Sequence, residues 1–347
     1  MTSSPELDLS TAVVVPHKGI GDLIWHLPYI RAIAACSPGG RVTVIARPSS
    51  RAVELLSAEP AVSRVIEFDR RPRGDEGLRG RHDGWREQWA FACQLRRLRI
   101  GRIYIFSGRF RHGLLARLAG VRHRAGFGFT LTERLFLNDP PCIRRHRGPG
   151  NWVYPEATAF AVAHRLVAGP VVPRMNVPQE LVQQLAAQLA DLPRPRYALA
   201  IGSSDRRRNW GAARFASLAQ ALAESGAGVV LLGGPAEQSL AHEIVASVPD
   251  PLRAAVLPMC QASVLVSAAA LRNCDACIGN DTGVLNMAAA CGLPSLGLFG
   301  ASPPLKHDPL LRAVIGASME QITLQEVLSS VNDPAFLTGQ TASSPTT

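Results

Sequence analysis

Two turns in the second half of the chain carry residue types suited to holding a phosphate. In the first, Ser203, Ser204 and Asp205 precede three arginines, Arg206, Arg207 and Arg208, just after an apolar run. Hydroxyls and guanidinium groups at a strand-to-helix turn can cradle phosphate through charge-assisted hydrogen bonds. The same composition also describes a solvated basic loop. In the second, Asp281-Thr282-Gly283 follows an apolar run ending at Gly279 and opens a small-residue helical stretch that Gly292 and Pro294 stop. Asp and Thr are good helix N-caps, Gly admits a ligand close to the backbone, and a helix start presents N–H groups to an anion. Many such corners in doubly wound domains hold no ligand, so the local pattern leaves both readings open.

Two carboxylates stand at comparable corners. Asp22 ends the glycine-bearing turn 17–22 that follows the first apolar run. At the carboxyl edge of a sheet it reads either as a group facing a ligand or as a helix N-cap. His26, four residues on and on the same helix face, could tune Asp22 or simply pack. Glu237 follows Gly233-Gly234-Pro235-Ala236 after another apolar run. It could bind sugar hydroxyls, although an acid in a helix's first turn is favourable without a ligand.

The elements that must position these residues alternate. Apolar runs at 11–16, 41–46, 64–68 and 102–106 read as strands, and 122–129 returns to extended structure. Between them 23–36, 50–57, 85–99 and 110–119 read as helices, with a charged loop at 70–84. After a helix at 152–167, prolines crowd 168–178 and 191–195, which places a linker there. The alternation then restarts, with strands at 197–201, 228–232, 254–257 and 276–279 and helices at 213–225, 236–247 and 262–272. Periodicity fades after about residue 328, and 331–347 reads as a disordered tail. No sequence repeat is present, yet the architecture repeats.

Composition narrows the class. The chain has 347 residues, 47% hydrophobic, enough for two cores. No apolar run approaches the ~18–20 residues of a membrane span. The first ten residues are polar with two acids, which does not read as a secretory signal. Seven cysteines scattered through apolar segments read as reduced core residues, and Cys274–Cys277 lacks a second pair with metal-site spacing. Net charge is +10, and between Asp69 and Arg147 there are 19 arginines against 7 acids. A basic face of this kind suits a phosphorylated substrate or an anionic membrane. Without an aromatic-rich basic stretch or a known motif, nucleic acid is not expected as a partner.

The stretch GNDTGVLNMAAACGLPSLGLFGASPP, residues 279–304, resembles the C-terminal signature of the family 9 glycosyltransferases, the lipopolysaccharide heptosyltransferases. GIGDLIWHLP, residues 19–28, resembles the family's N-terminal Gly-Asp motif. The likeness spans about 11–305 and is weaker over 69–176. It implies an α/β GT-B fold, two Rossmann-like doubly wound domains facing a cleft. Residues 1–175 would bind the acceptor and 176–330 the nucleotide-sugar donor. It further implies Asp22 as general base, Ser203, Ser204 and Arg208 on the places of a hydroxyl pair and a lysine, and Glu237 on ribose hydroxyls. The 281–283 turn, Asp281, Thr282 and Gly283, would serve the donor. Where the family usually carries His three residues after that glycine, this chain has Asn286.

The expected activity is therefore inverting sugar transfer from a nucleotide diphosphate, ADP-heptose by family default, to an anionic glycolipid or oligosaccharide acceptor. No Asp-x-Asp element suits a divalent ion, so neither metal nor cofactor is expected. The location expected is the cytoplasm, with peripheral contact at the inner face of the inner membrane. Two rivals stand beside this reading. One is a nucleotide-sugar epimerase of the same fold, and the other a degenerate nucleotide-sugar binder, motivated by Asn286.

Overall fold

A computed structural model describes residues 9–71, 79–203, 205–300 and 302–337. The chain divides into two compact units. The first takes the chain up to Gly148 together with Trp152–Val171, and the second takes Pro149–Asn151 and everything from Val172 onward.

In the first unit the strands are β1 (Ser10–Val15), β2 (Val42–Ala46), β3 (Val62–Glu67), β4 (Ile100–Ile105) and β5 (His123–Gly126). The helices are α1 (Ile20–Ala35), α2 (Ala52–Leu55), α3 (Trp85–Arg97), α4 (Phe110–Leu118), α5 (Leu131–Arg134) and α6 (Val153–Ala163). The described strands pair in parallel in the order β3-β2-β1-β4-β5. Strands such as Ala12–Val15 are buried throughout, as a sheet covered on both faces requires. The order reverses direction between β1 and β4, and the carboxyl ends of those two strands flank the place where such sheets bind ligands.

The second unit contains α7 (Gln179–Gln188), β6 (Arg196–Ala200), α8 (Ala212–Glu224), β7 (Gly228–Leu232), α9 (Gln238–Ser247) and β8 (Val256–Pro258). It continues with α10 (Val264–Leu271), β9 (Ala276–Asn280), α11 (Gly283–Ala290), β10 (Ser295–Phe299), β11 (Leu311–Ile315), α12 (Leu324–Val331) and α13 (Pro334–Leu337). Its described strands are also parallel, in the order β11-β10-β9-β6-β7-β8. The reversal here lies between β6 and β9.

Several elements differ from the sequence expectation. Helix α1 starts at Ile20, so Asp22 sits inside its first turn rather than before it. Helix α7 lies between the two proline-rich stretches expected as linker. Ordered structure continues past residue 331, because Val331 and Phe336 are buried against the second core. The remaining tail residues, 338–347, lie outside the described residues, as do 72–78 of the charged loop. Cys36 and Cys142 are exposed rather than part of a core.

Two contacts fix the ligand edge of the second sheet. Asn280, fully buried, donates through Nδ2 to the Ile201 carbonyl at 2.9 Å and the Gly202 carbonyl at 3.1 Å, and its Oδ1 accepts from the Trp210 N–H at 3.1 Å. Gly279 lets β9 lie this close to β6, since a Cβ there would run into the Ala200 carbonyl. Trp210 is itself locked, with its Nε1 donating to the Ile322 carbonyl at 2.9 Å. At the far end of α11, Arg174 donates to the Ala289 carbonyl and pairs with the buried Asp308. A cation at a helix C-terminus is favourable there.

Leaving a buried polar group unpaired costs about 1–3 kcal/mol. Asn280→Ala strands the Trp210 N–H and two carbonyls, and is expected to destabilise the protein by about 2–4 kcal/mol in urea denaturation. A change below about 0.5 kcal/mol, typical of a surface substitution, would show that this amide does not hold the edge.

Candidate active site

At the β6–β9 reversal the loop after β6 and the turn after β9 face one another. Asp205 caps a short 3-10 turn, Arg206–Arg208, by accepting from the Arg207 N–H at 3.0 Å. The Ser203 hydroxyl donates to the Asp205 carbonyl at 2.7 Å, and Ser204 lies outside the described residues. Arg208 reaches across the reversal, with Nη1 3.2 Å from Asp281 Oδ2, and the Ser302 hydroxyl donates to the same oxygen at 2.8 Å. Asp281 therefore orients a guanidinium, a role distinct from helix capping. The half-exposed ion pair contributes little to stability and is geometrically useful.

Thr282 occupies the N-cap of α11, yet its side chain makes no cap bond. Its Oγ1 is buried and has no hydrogen-bond partner among the described residues. The helix thus opens at Gly283 with N–H groups that no side chain caps, and with the positive end of its dipole beside Arg208's partner. Asn286 is buried one turn in, and its Nδ2 donates to the Thr282 carbonyl at 2.9 Å. Glu237 follows β7, and its Oε2 accepts from the Gly234 N–H at 2.7 Å. Gly202 and Gly233 pack so closely on it that a Cβ at either would press on the Glu237 side chain. The carboxyl edges of β6, β7 and β9 so bring together Ser203, Arg208, Glu237, Asp281, Thr282, Gly283 and Asn286. Such a set can take a diphosphate at the helix start and hydroxyl groups near the glutamate.

Asp22 belongs to the first unit, at the carboxyl end of β1. It is the third residue of α1, and its Oδ2 accepts from the Gly19 N–H at 3.2 Å. Among the described residues His26 makes no hydrogen bond to that carboxylate. Its Nδ1 bonds the Asp22 carbonyl at 2.6 Å, and its ring stacks on His17 with centroids 5.2 Å apart. Burial is the main cause that lowers both imidazoles, His26 to about 3 and His17 to about 4. Both are neutral at pH 7, and each Nε2 is enclosed without a partner among the described residues. Asp22 itself is half-buried.

Sequence reasoning saw a basic half but missed how its charge is gathered. Arg47 follows β2 directly, Arg70 comes three residues after β3, and Arg109 four after β4. All three bear on the buried His112, which is lowered to about 3 by burial first, then by Arg109, His17, Arg70 and Arg47. His112 Nδ1 lies 3.0 Å from the Ser107 hydroxyl, and Arg47 Nη2 donates to the Arg70 carbonyl at 2.6 Å. Arg70 Nε is buried without a partner, and neither Arg70 nor Arg109 forms an ion pair among the described residues. Position just after a strand was the available signal. The guanidinium groups of Arg70 and Arg109 beside the β1–β4 reversal can receive an anion.

Residues 88–330 match the family model described as glycosyltransferase family 9 (heptosyltransferase). Lipopolysaccharide heptosyltransferase 2 of Escherichia coli (strain K12) is 25% identical over 353 residues, covering 92% of this chain and 97% of that protein. Lipopolysaccharide heptosyltransferase 1 of Pseudomonas aeruginosa is 28% identical over 300 residues, covering 84% and 79%. The solved structure of E. coli ADP-heptose lps heptosyltransferase II superposes with a TM-score of 0.75 at 22% identity, over 95% of this chain and 99% of that one. The two parallel-sheet Rossmann-like units are those of the GT-B fold, and the chain belongs to glycosyltransferase family 9 as a glycosyltransferase.

Proposed function

We propose that this protein transfers heptose from ADP-heptose to an anionic, lipid-linked acceptor of lipopolysaccharide core synthesis, with inversion and without a metal ion. The observation that carries the reading is the β6–β9 reversal, where Arg208, the enclosed Thr282 hydroxyl and the uncapped start of α11 converge. The names of the relatives supply the sugar and nucleotide. In this reading residues 176–330 serve the donor and 1–175 the acceptor. The protein would work in the cytoplasm at the inner face of the inner membrane. Among the described residues no helix is long and apolar enough to cross a membrane.

The proposed chemistry is a single displacement. The acceptor hydroxyl loses its proton to the Asp22 carboxylate as its oxygen bonds to the anomeric carbon. The bond from that carbon to the diphosphate oxygen breaks on the opposite face, and the nucleoside diphosphate departs with its electron pair. The Gly19 N–H orients Asp22, while Arg208 and the α11 N–H groups meet the developing negative charge. Glu237 would bind ribose hydroxyls. Ser203, with Ser204 beyond the described residues, would add hydroxyl donors. Asn286 brings no charge, so Arg208 would carry a larger share of the electrostatic work. Arg47, Arg70 and Arg109 would take the acceptor's acidic groups.

Two substitutions test these roles. A charge-assisted hydrogen bond contributes roughly 1.5–3 kcal/mol. Arg208→Ala is therefore expected to weaken ADP binding, by titration calorimetry, about tenfold to a hundredfold, and to leave adenosine binding nearly unchanged. Equal weakening of both would make Arg208 a structural residue. Asp22→Asn keeps an acceptor for the Gly19 N–H and removes the basicity. Turnover is expected to fall by about a hundredfold or more, with ADP affinity and melting temperature held. Near-normal turnover would remove Asp22 from the mechanism.

A further inference from the structure

The first unit carries an apolar surface that its own fold does not explain. Among the described residues twelve large apolar side chains are exposed, and ten of them belong to this unit. Five gather where three successive helices begin. Trp85 and Trp89 lie one turn apart at the start of α3, Phe110 is the first residue of α4, and Leu131 and Leu135 bracket α5. Trp85 is 75% exposed and Leu131 79%. Helix α3 packs on α4 and α4 on α5, so these starts are neighbours. Each helix follows a strand of the parallel sheet, which puts all three starts at its carboxyl edge, the edge that also holds Asp22 and the arginine group.

We infer that this edge inserts its apolar side chains into the surface of an anionic lipid bilayer, so that a lipid-anchored acceptor reaches Asp22 without leaving the membrane. The inference rests on the acceptor reading above. Tryptophan favours the membrane–water interface, and arginines beside it are drawn to an anionic leaflet. The exposed Arg86 stands at the start of α3, and the exposed Arg134 closes the short α5 between Leu131 and Leu135. Charge also argues against a second copy of this chain as the occupant. A two-fold contact would set the same arginine-bearing face against itself, with like charges opposed. An anionic bilayer satisfies both the apolar side chains and the cations around them.

The test uses the full chain and needs neither acceptor nor turnover, so its failure is distinct from failure of the transfer reading. Co-sedimentation would be measured with phosphatidylglycerol/phosphatidylethanolamine vesicles and with phosphatidylcholine vesicles. Two variants would be compared with the parent, Trp85→Ser with Trp89→Ser, and Leu131→Ser with Leu135→Ser. The parent is expected to bind the anionic vesicles and to bind phosphatidylcholine far less. Each pair of changes should lower the partition coefficient by at least about tenfold, in proportion to the apolar area removed. Unchanged ADP affinity and melting temperature would show that the variants are folded. The inference is overturned if the parent ignores anionic vesicles. It is equally overturned if the folded variants bind them as the parent does, or if light scattering shows a dimer that the tryptophan changes dissolve.

Discussion

The side-chain amide of Asn280 makes three hydrogen bonds with no exposure to solvent, and the carboxyl edge of the second sheet takes its form from them. In so dry a place each bond is strong and each unmade bond is costly, which makes the arrangement nearly all-or-none. The amide joins the end of β9 to the loop after β6 and to the backbone of Trp210. Arg208 and Asp281 are thereby carried to opposite sides of one narrow gap. Their own ion pair, half in solvent, would not bring them there. Gly279 permits the close approach, and the Trp210 indole anchors the loop from below.

The positive charge at the carboxyl edge of the first sheet comes from arginine. All but two of the 37 basic residues are arginines, and three of those face the carboxyl edge of the first sheet. The histidines nearest that edge, His17, His26 and His112, are all lowered, chiefly by burial, and stay neutral. They pack and orient backbone groups without adding charge. An anion bound there would meet guanidinium charge and neutral imidazoles.

Much of this was legible in the chain itself, because parallel strands buried on both faces read as unbroken apolar runs. The turns at Asp22, Ser203, Glu237 and Asp281 could be placed at a sheet edge from their order alone. What sequence could not supply depends on contacts made far along the chain. Asn280 looked like one more turn residue until its partners at 201, 202 and 210 were in place. Asp281 read as a cap, and only the fold brings Arg208 to it. His26 sits one turn from Asp22 as the spacing predicts, yet it serves the backbone carbonyl. The helices at 179–188 and 334–337 are short, and burial rather than strong periodicity holds Leu185 and Phe336. Arg47, Arg70 and Arg109 are scattered over more than sixty positions and meet only because β2, β3 and β4 share one sheet edge.

Where the sugar goes is the most direct test of glycosyl transfer by this protein. The protein would be incubated with ADP-heptose, alone and with a lipopolysaccharide-core acceptor, and both ADP and the acceptor followed by mass spectrometry. Glycosyl transfer predicts ADP release that depends on acceptor, with the acceptor gaining one heptose in equal amount. Conversion of the donor without acceptor, or tight donor binding with no ADP released under either condition, would contradict it.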